Sequence, residues 1–464
     1  MVFSGLEFLL RFLPATLLLY FLVPERFRNS LLVIASLVFY AWGQPTHVLL
    51  ILFSCAINYA LGTAIDRYRG STRARAALAS SIVVNLALLG FFKYCDFLTA
   101  NLNSMLGSNI GLLGVPLPVG ISFYTFKILS YSIDLYRGDS AAAKDPLAFL
   151  LYVSLFPQLM AGPIERHNAI AHELVDREHS LDLFAAGAHR FVLGLGKKVI
   201  IADNVALIWD ACRTTTAPSV LSGWLGIVTF AFQLYFDFSG YSDMAIGLGR
   251  MFGFHFAENF CFPYMSQSIA EFWRRWHISL GQWFRDYVYI PLGGNRVSRW
   301  RWVRNILVVW FLTGLWHGAS WNFVLWGAYF GVLLAFERLF LGRLLEQLPR
   351  LMRHAYTLLA VLVSWVIFAL DSVSDILIYL GSMIGLRTTE LYNAESLYLL
   401  RANAVLLLIA VVASTPALAA LYDRFSDRAY VRTVLMPLLY LAVLTISMAY
   451  VVDSSFNPFL YFRF

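Results

Sequence analysis

The chain is 464 residues long, 59% hydrophobic and only 14% charged, with a formal net charge of +7. Soluble domains keep about a quarter of their residues charged, so this composition excludes a water-solvated globule and makes lipid the solvent for most of the surface. The positive balance requires no nucleic acid, because basic residues in membrane chains gather in cytoplasmic loops.

Taken in chain order, apolar runs occupy 6–23, 30–42, 47–63, 77–95, 147–161, 221–236, 303–316, 323–340, 355–370, 403–421 and 433–451. About 20 apolar residues cross the ~30 Å hydrocarbon core as a helix. Lipid offers backbone groups no partners, and long unbroken runs rather than alternation select helices over a barrel. The expected fold class is an all-α polytopic membrane protein, with residues 1–464 forming one domain whose soft boundary lies near 163–213. The first run lacks a basic start and a small-residue cleavage pattern and carries Glu7 and Arg11. It reads as a retained helix kinked near Pro14, not a signal peptide. Cys55, Cys95, Cys212 and Cys261 are scattered without C-x-x-C spacing, which suggests neither a disulfide framework nor a zinc site.

Basic clusters fall at Arg26/Arg28, Arg67/Arg69/Arg73/Arg75, Arg137/Lys144, Arg296/Arg299/Arg301/Arg304, Arg338/Arg343/Arg350/Arg353 and Arg424/Arg428/Arg432. Placing them inside puts the N-terminus and the closing DSSFNPFLYFRF on the outer face. Residues 163–213 mix both charge signs with His167, His172, His179 and His189 and leave the crossing count open; 374–386 is short enough to be re-entrant or interfacial.

Three stretches carry polar groups that lipid does not explain. In AFQLYFDFSGYSDMAIGLG (231–249), Asp237 and Asp243 sit among apolar residues. Buried carboxylates need partners, and Lys198, Arg274 or Arg275 are available, so both read as structural. In residues 258–295, Ser266–Gln267–Ser268 starts a helix on which Trp273, Trp276, Leu280, Trp283 and Tyr287 recur every three or four residues, ending at Pro291 and Gly293–Gly294. Such a Trp- and Arg-rich amphipathic helix suits the membrane interface. Its Arg274, Arg275 and Arg285 either snorkel or, beside His277, hold a phosphate-bearing ligand.

The third stretch, LVVWFLTGLWHGASWNFVLWGAYFG (307–331), has His317 as its one ionisable side chain. Since Arg304 and Arg338 fall on the same side, 303–340 is a hairpin with His317 about 20 Å beyond Arg304. An ionisable group at that depth is a functional candidate by default. The bland alternative is a neutral histidine satisfied inside the bundle. Gly314, Gly318 and the indole of Trp316 favour a lined cavity instead.

These segments, with FYAWGQP (39–45), LPVGISFYTFKILSYSIDLYRG (117–138), FPQLMAGPIER (156–166) and the closing FNPFLYFRF, resemble the membrane-bound O-acyltransferases over nearly the whole chain. The resemblance is to the bacterial branch that contains the alginate O-acetylation protein, with core motifs across 231–331. It implies a ring of tilted helices around a thin centre pierced by a tunnel. It also implies His317 as the catalytic residue and His277 as a second essential one, with Trp316, Trp273, Arg274, Arg275 and Asn295 as candidate donor-binding groups. The implied donor is cytoplasmic acetyl-CoA, with no bound cofactor and no metal. The implied acceptor is a periplasmic protein within a polysaccharide biosynthesis and secretion complex, at a bacterial inner membrane. An exopolysaccharide of alginate or cellulose type is the expected target, with peptidoglycan as the alternative. A neutral imidazole suits a base that takes a hydroxyl proton during attack on a thioester. Two readings from other classes compete: a flippase for an anionic glycan precursor with His317 as a proton relay, and a docking protein without catalysis. Inverted repeats would favour the flippase, and none is visible in the sequence.

Overall fold

In the computed structural model, which describes residues 1–425 and 428–453, every regular element among the described residues is a helix. Six of these helices are long and apolar enough to cross a membrane: His47–Arg67, Thr72–Leu106, Val220–Met251, Trp321–Gln347, Arg350–Ala369 and Val431–Asp453. A seventh span arises if Ala394–Ala402 and Ala404–Ala413, bent by 58°, count as one. The protein is thus a multi-pass helical membrane protein. The closing FNPFLYFRF and the C-terminus lie outside the described residues.

Several apolar runs do not become straight spans. Residues 147–161 form two short buried helices, Pro146–Ser154 and Phe156–Leu159, because Pro157 removes an amide donor and Leu155 turns extended at the junction. Residues 403–421 divide at Ser414–Pro416 into Ala404–Ala413 and Ala417–Phe425. The first run contains a π-turn, Phe8–Phe12, directly before the helix Leu13–Leu22, so the irregularity expected at Pro14 sits one step upstream. Residues 374–386 yield the short helix Val373–Met383, capped by Ser372.

The chain divides into two compact units, residues 1–191 with 241–257, and residues 192–240 with 258–464. In the first, Asn58, Ser81, Asn85 and Ser132 join three helices through a buried polar knot, with Asn85 and Ser81 donating to Asn58 Oδ1 at 2.8 and 2.7 Å. Buried polar groups tolerate apolar surroundings when each finds a partner, and this knot meets that condition. Asp243 belongs here too and pairs with Arg190 at 2.8 Å, a partner absent from the candidates named on sequence grounds.

In the second unit, Asp237 pairs with Lys198 at 2.8 Å, and Lys198 reaches Asp203 at 2.6 Å. Lys198 stands on the π-turn Lys197–Ala202, which links Leu181–Gly196 to Asp203–Thr214 and resolves part of the ambiguous 163–213 stretch as helix. Elsewhere in this unit Arg299–His317 and Trp321–Phe336 form a hairpin, against which Arg350–Ala369 packs.

A two-histidine candidate active site

His317 is the last residue of its helix arm, at the hairpin tip, and is 3% exposed. The glycines around it do not open a cavity; they let the two arms meet. A Cβ on Gly314 would stand 2.3 Å from the Phe323 carbonyl oxygen, and one on Gly327 2.3 Å from that of Trp310. At Gly318 the Phe323 ring fills the space, 2.1 Å from where a Cβ would be. This corrects the lined cavity expected there: the missing side-chain volume is taken by the opposite arm. What surrounds the imidazole is aromatic, with ring centroids of Trp326 at 4.9 Å, Trp316 at 5.0 Å and Phe368 at 5.5 Å.

His277 is reached by a different route. The single amphipathic helix expected from Ser266 to Pro291 starts as anticipated, Ser268 Oγ accepting the amide of Glu271 at 3.0 Å, but it breaks at Trp276–His277. Ile269–Arg275 ends there, and His277 adopts a left-handed conformation (φ 44°, ψ 55°) at the head of Ile278–Phe284. Such a backbone is costly for a residue with a Cβ, so the surroundings must hold it. Asn259 does so: its carbonyl accepts the Ile278 amide at 3.0 Å, and its side-chain Oδ1 accepts the Ser279 amide at 3.2 Å and the Ser279 hydroxyl at 2.9 Å. The Trp stripe also points inward rather than to lipid, since Trp276, Leu280 and Trp283 are buried.

Asn259 Oδ1 also faces His277 Nδ1 at 3.2 Å. A backbone amide only donates, so the Asn259 atom that Ser279 N–H meets is an acceptor. The imidazole nitrogen facing the same atom must then carry the proton. Burial pushes the His277 pKa down to about 3, so the ring is neutral near pH 7, and in a neutral ring with Nδ1–H the other nitrogen is a hydrogen-bond acceptor.

The two motifs converge. Trp316 packs against both imidazoles, 5.0 Å from His317 and 5.8 Å from His277 between ring centroids. Trp273 joins the same cluster through Trp326 at 5.5 Å and Trp310 at 4.6 Å. Other candidates sit elsewhere or are engaged: Arg275 pairs with Glu271 at 2.8 Å, Arg285 with Asp286 at 2.7 Å, and Arg274 is exposed. Asn295 belongs to a separate network, accepting from the Tyr289 hydroxyl and from Arg338 Nη1 at 3.0 Å, and hydrogen-bonds to neither imidazole. Among the described residues, no group of three His, Cys, Asp or Glu side chains is placed to hold a metal.

Sequence reasoning missed two residues. Asn259 was visible only as a lone amide in the aromatic run ENFCFPY. Glu337 was hidden beside the basic cluster starting at Arg338, yet it is buried and its carboxylate accepts the amides of Ile269 at 2.8 Å and Ala270 at 3.4 Å. It thereby ties the return arm of the hairpin to the start of the helix that ends at His277, using amides that have no partner within their own helix.

The sequence profile of the membrane-bound O-acyltransferase family matches residues 140–380. A "Probable alginate O-acetylase" of Azotobacter vinelandii is 46% identical over 80% of this chain and 76% of its own length. A protein of the same name from Pseudomonas putida is 40% identical with both chains covered in full. A "Peptidoglycan O-acetyltransferase" of Helicobacter pylori is 33% identical over 90% of this chain and 86% of its own.

Proposed function

This chain belongs to the membrane-bound O-acyltransferase family, and we propose that it carries acetyl groups from cytoplasmic acetyl-CoA across a bacterial inner membrane for O-acetylation of an exopolysaccharide of the alginate or cellulose type. The observation that carries this reading is the convergence of His277 and His317, forty positions apart in sequence, on the single indole of Trp316. The relatives named for alginate O-acetylation supply the substrate class.

In the proposed reaction His317 takes the proton of the acceptor hydroxyl as its oxygen attacks the thioester carbonyl. The new C–O bond forms, the C–S bond breaks, and the proton passes on to the departing thiolate. A neutral imidazole suits that relay. His277 acts beside it as a hydrogen-bond acceptor, because Asn259 holds its Nδ1–H. It can orient an amide N–H of the donor's pantetheine arm. It cannot polarise the thioester carbonyl, which needs a donor. The acceptor is a periplasmic protein partner that completes transfer to sugar hydroxyls, with both termini of this chain on that face.

Replacing His317 by Ala should lower acetyl ester content of the secreted glycan by about 10²–10⁴-fold in initial rate, the range that general-base catalysis supplies, with membrane levels of the protein unchanged. Acetylation at the normal rate in that variant would refute the assignment. A second reading, transfer to peptidoglycan, draws on the 33% identity to the Helicobacter pylori protein. Measuring acetyl esters on both polymers in one deletion strain separates the two.

A further inference from the structure

Away from the histidines, within the unit of residues 1–191 and 241–257, a cavity of about 380 Å³ is lined by Phe21, His179, Ser180, Leu181, Phe184, Arg250 and Met251. Its size is in the range of small-molecule sites. Two chemistries meet there. Phe21 and Leu181 are 44% and 88% exposed, an apolar rim that water would penalise and that lipid would not. Phe21 lies near the end of the apolar helix Leu13–Leu22, so the rim continues a lipid-compatible surface.

Arg250 supplies the opposite character. It stands in the last turn of Val220–Met251. Unlike Arg190, which has Asp243, or Arg28, which has Glu25 at 3.1 Å, its side chain has no hydrogen bond, ion pair or ring contact among the described residues. Its half-buried guanidinium is therefore available to a ligand. Ser180 Oγ accepts the Leu183 amide at 3.0 Å and keeps its own O–H to donate. His179 is already held by the Tyr20 hydroxyl at 2.9 Å and the Arg177 carbonyl at 3.1 Å, so it shapes the wall. Arg177 stacks over Phe254 at 4.6 Å and adds positive potential nearby.

We propose that this cavity binds an anionic phospholipid, its phosphate on Arg250 and Ser180 and its glycerol and first methylenes against Phe21, Phe184 and Leu181. A forked guanidinium matches phosphate oxygens bidentately, and the apolar rim selects a phosphate that carries acyl chains. A free inorganic phosphate would leave the rim unused.

The test uses delipidated full-length protein in detergent, titrated with phosphatidylglycerol, phosphatidylcholine and soluble glycerol phosphate. Phosphatidylglycerol should bind most tightly, with soluble glycerol phosphate at least tenfold weaker. Arg250→Gln should cost about tenfold for phosphatidylglycerol, the effect of one charge-assisted contact, and less for phosphatidylcholine, whose choline cation offsets the phosphate charge. Because Arg250 is half-buried, Leu181→Glu provides an independent arm: its site is exposed enough to spare folding, and a negative rim should repel the same headgroup about tenfold. Equal binding of phosphatidylglycerol by wild type and both folded variants overturns the proposal. So does soluble glycerol phosphate matching the lipid, which would make the site one for water-soluble phosphates.

Discussion

The segments that deliver His317 and His277 solve the same problem in opposite ways. The His317 hairpin is regular: two helices, glycines at the contact, and an imidazole at the end of one arm. Its precision comes from steric contact between arms. The His277 segment is irregular: a broken helix, a left-handed histidine and a side-chain amide that bonds three partners around it. Its precision comes from hydrogen bonds. A steric device is intolerant of added atoms, and a hydrogen-bonded one is intolerant of lost acceptors. The two regions should therefore fail under different substitutions.

The largest effect is expected in the hairpin. Gly314→Ala drives a methyl into the Phe323 carbonyl, 2.3 Å away, and backbone cannot yield as a flexible side chain does. We expect a loss of about 3 kcal/mol, read as a drop in thermal unfolding temperature of the purified protein in detergent. Unchanged stability would mean that the arms are not in steric contact. At His277 the corresponding change should be mild for folding and severe for chemistry. His277→Gly relieves the left-handed strain while losing the ring, so stability should hold within about 1 kcal/mol as acetyl transfer falls sharply. If transfer survives, the imidazole serves only the turn.

Glu337→Ala strips the acceptor from two helix-start amides and should cost about 1–3 kcal/mol. Glu337→Gln, which keeps one carbonyl oxygen, should recover more than half of that. The smallest and most specific effect is expected at Asn259. Asn259→Asp puts an anion against a ring whose pKa burial holds near 3. An adjacent negative charge favours the imidazolium, so the His277 pKa should rise and the acid limb of the rate profile should move to higher pH. A profile identical to wild type would break the link between Asn259 and His277.

His317 could be singled out from the chain alone, because an imidazole in an apolar run is costly in lipid; His277, beside Arg274 and Arg275, was reached only through the family resemblance. The helical class was legible for the same reason: lipid leaves backbone groups no alternative. Hairpin topology followed from the spacing of Arg304, His317 and Arg338. The break at His277 was not legible, since Trp273, Trp276, Leu280, Trp283 and Tyr287 keep a helical period across it. One face buried against the protein interior produces that period as readily as a face laid on lipid does. Nor could ion-pair partners be chosen: Asp243 took Arg190, fifty-three positions earlier, over nearer cations.

What one dimension determined, then, is which groups are too expensive to be idle in lipid, and hence where chemistry is to be sought. What three dimensions decided is which atom each of those groups presents. The Nδ1 proton of His277, the filling of the glycine gaps by Phe323 and the reach of Glu337 to another helix all depend on residues far apart in the chain. Hydrogen-bond direction and van der Waals contact act over a few ångströms of space, and no spacing along a sequence encodes that distance.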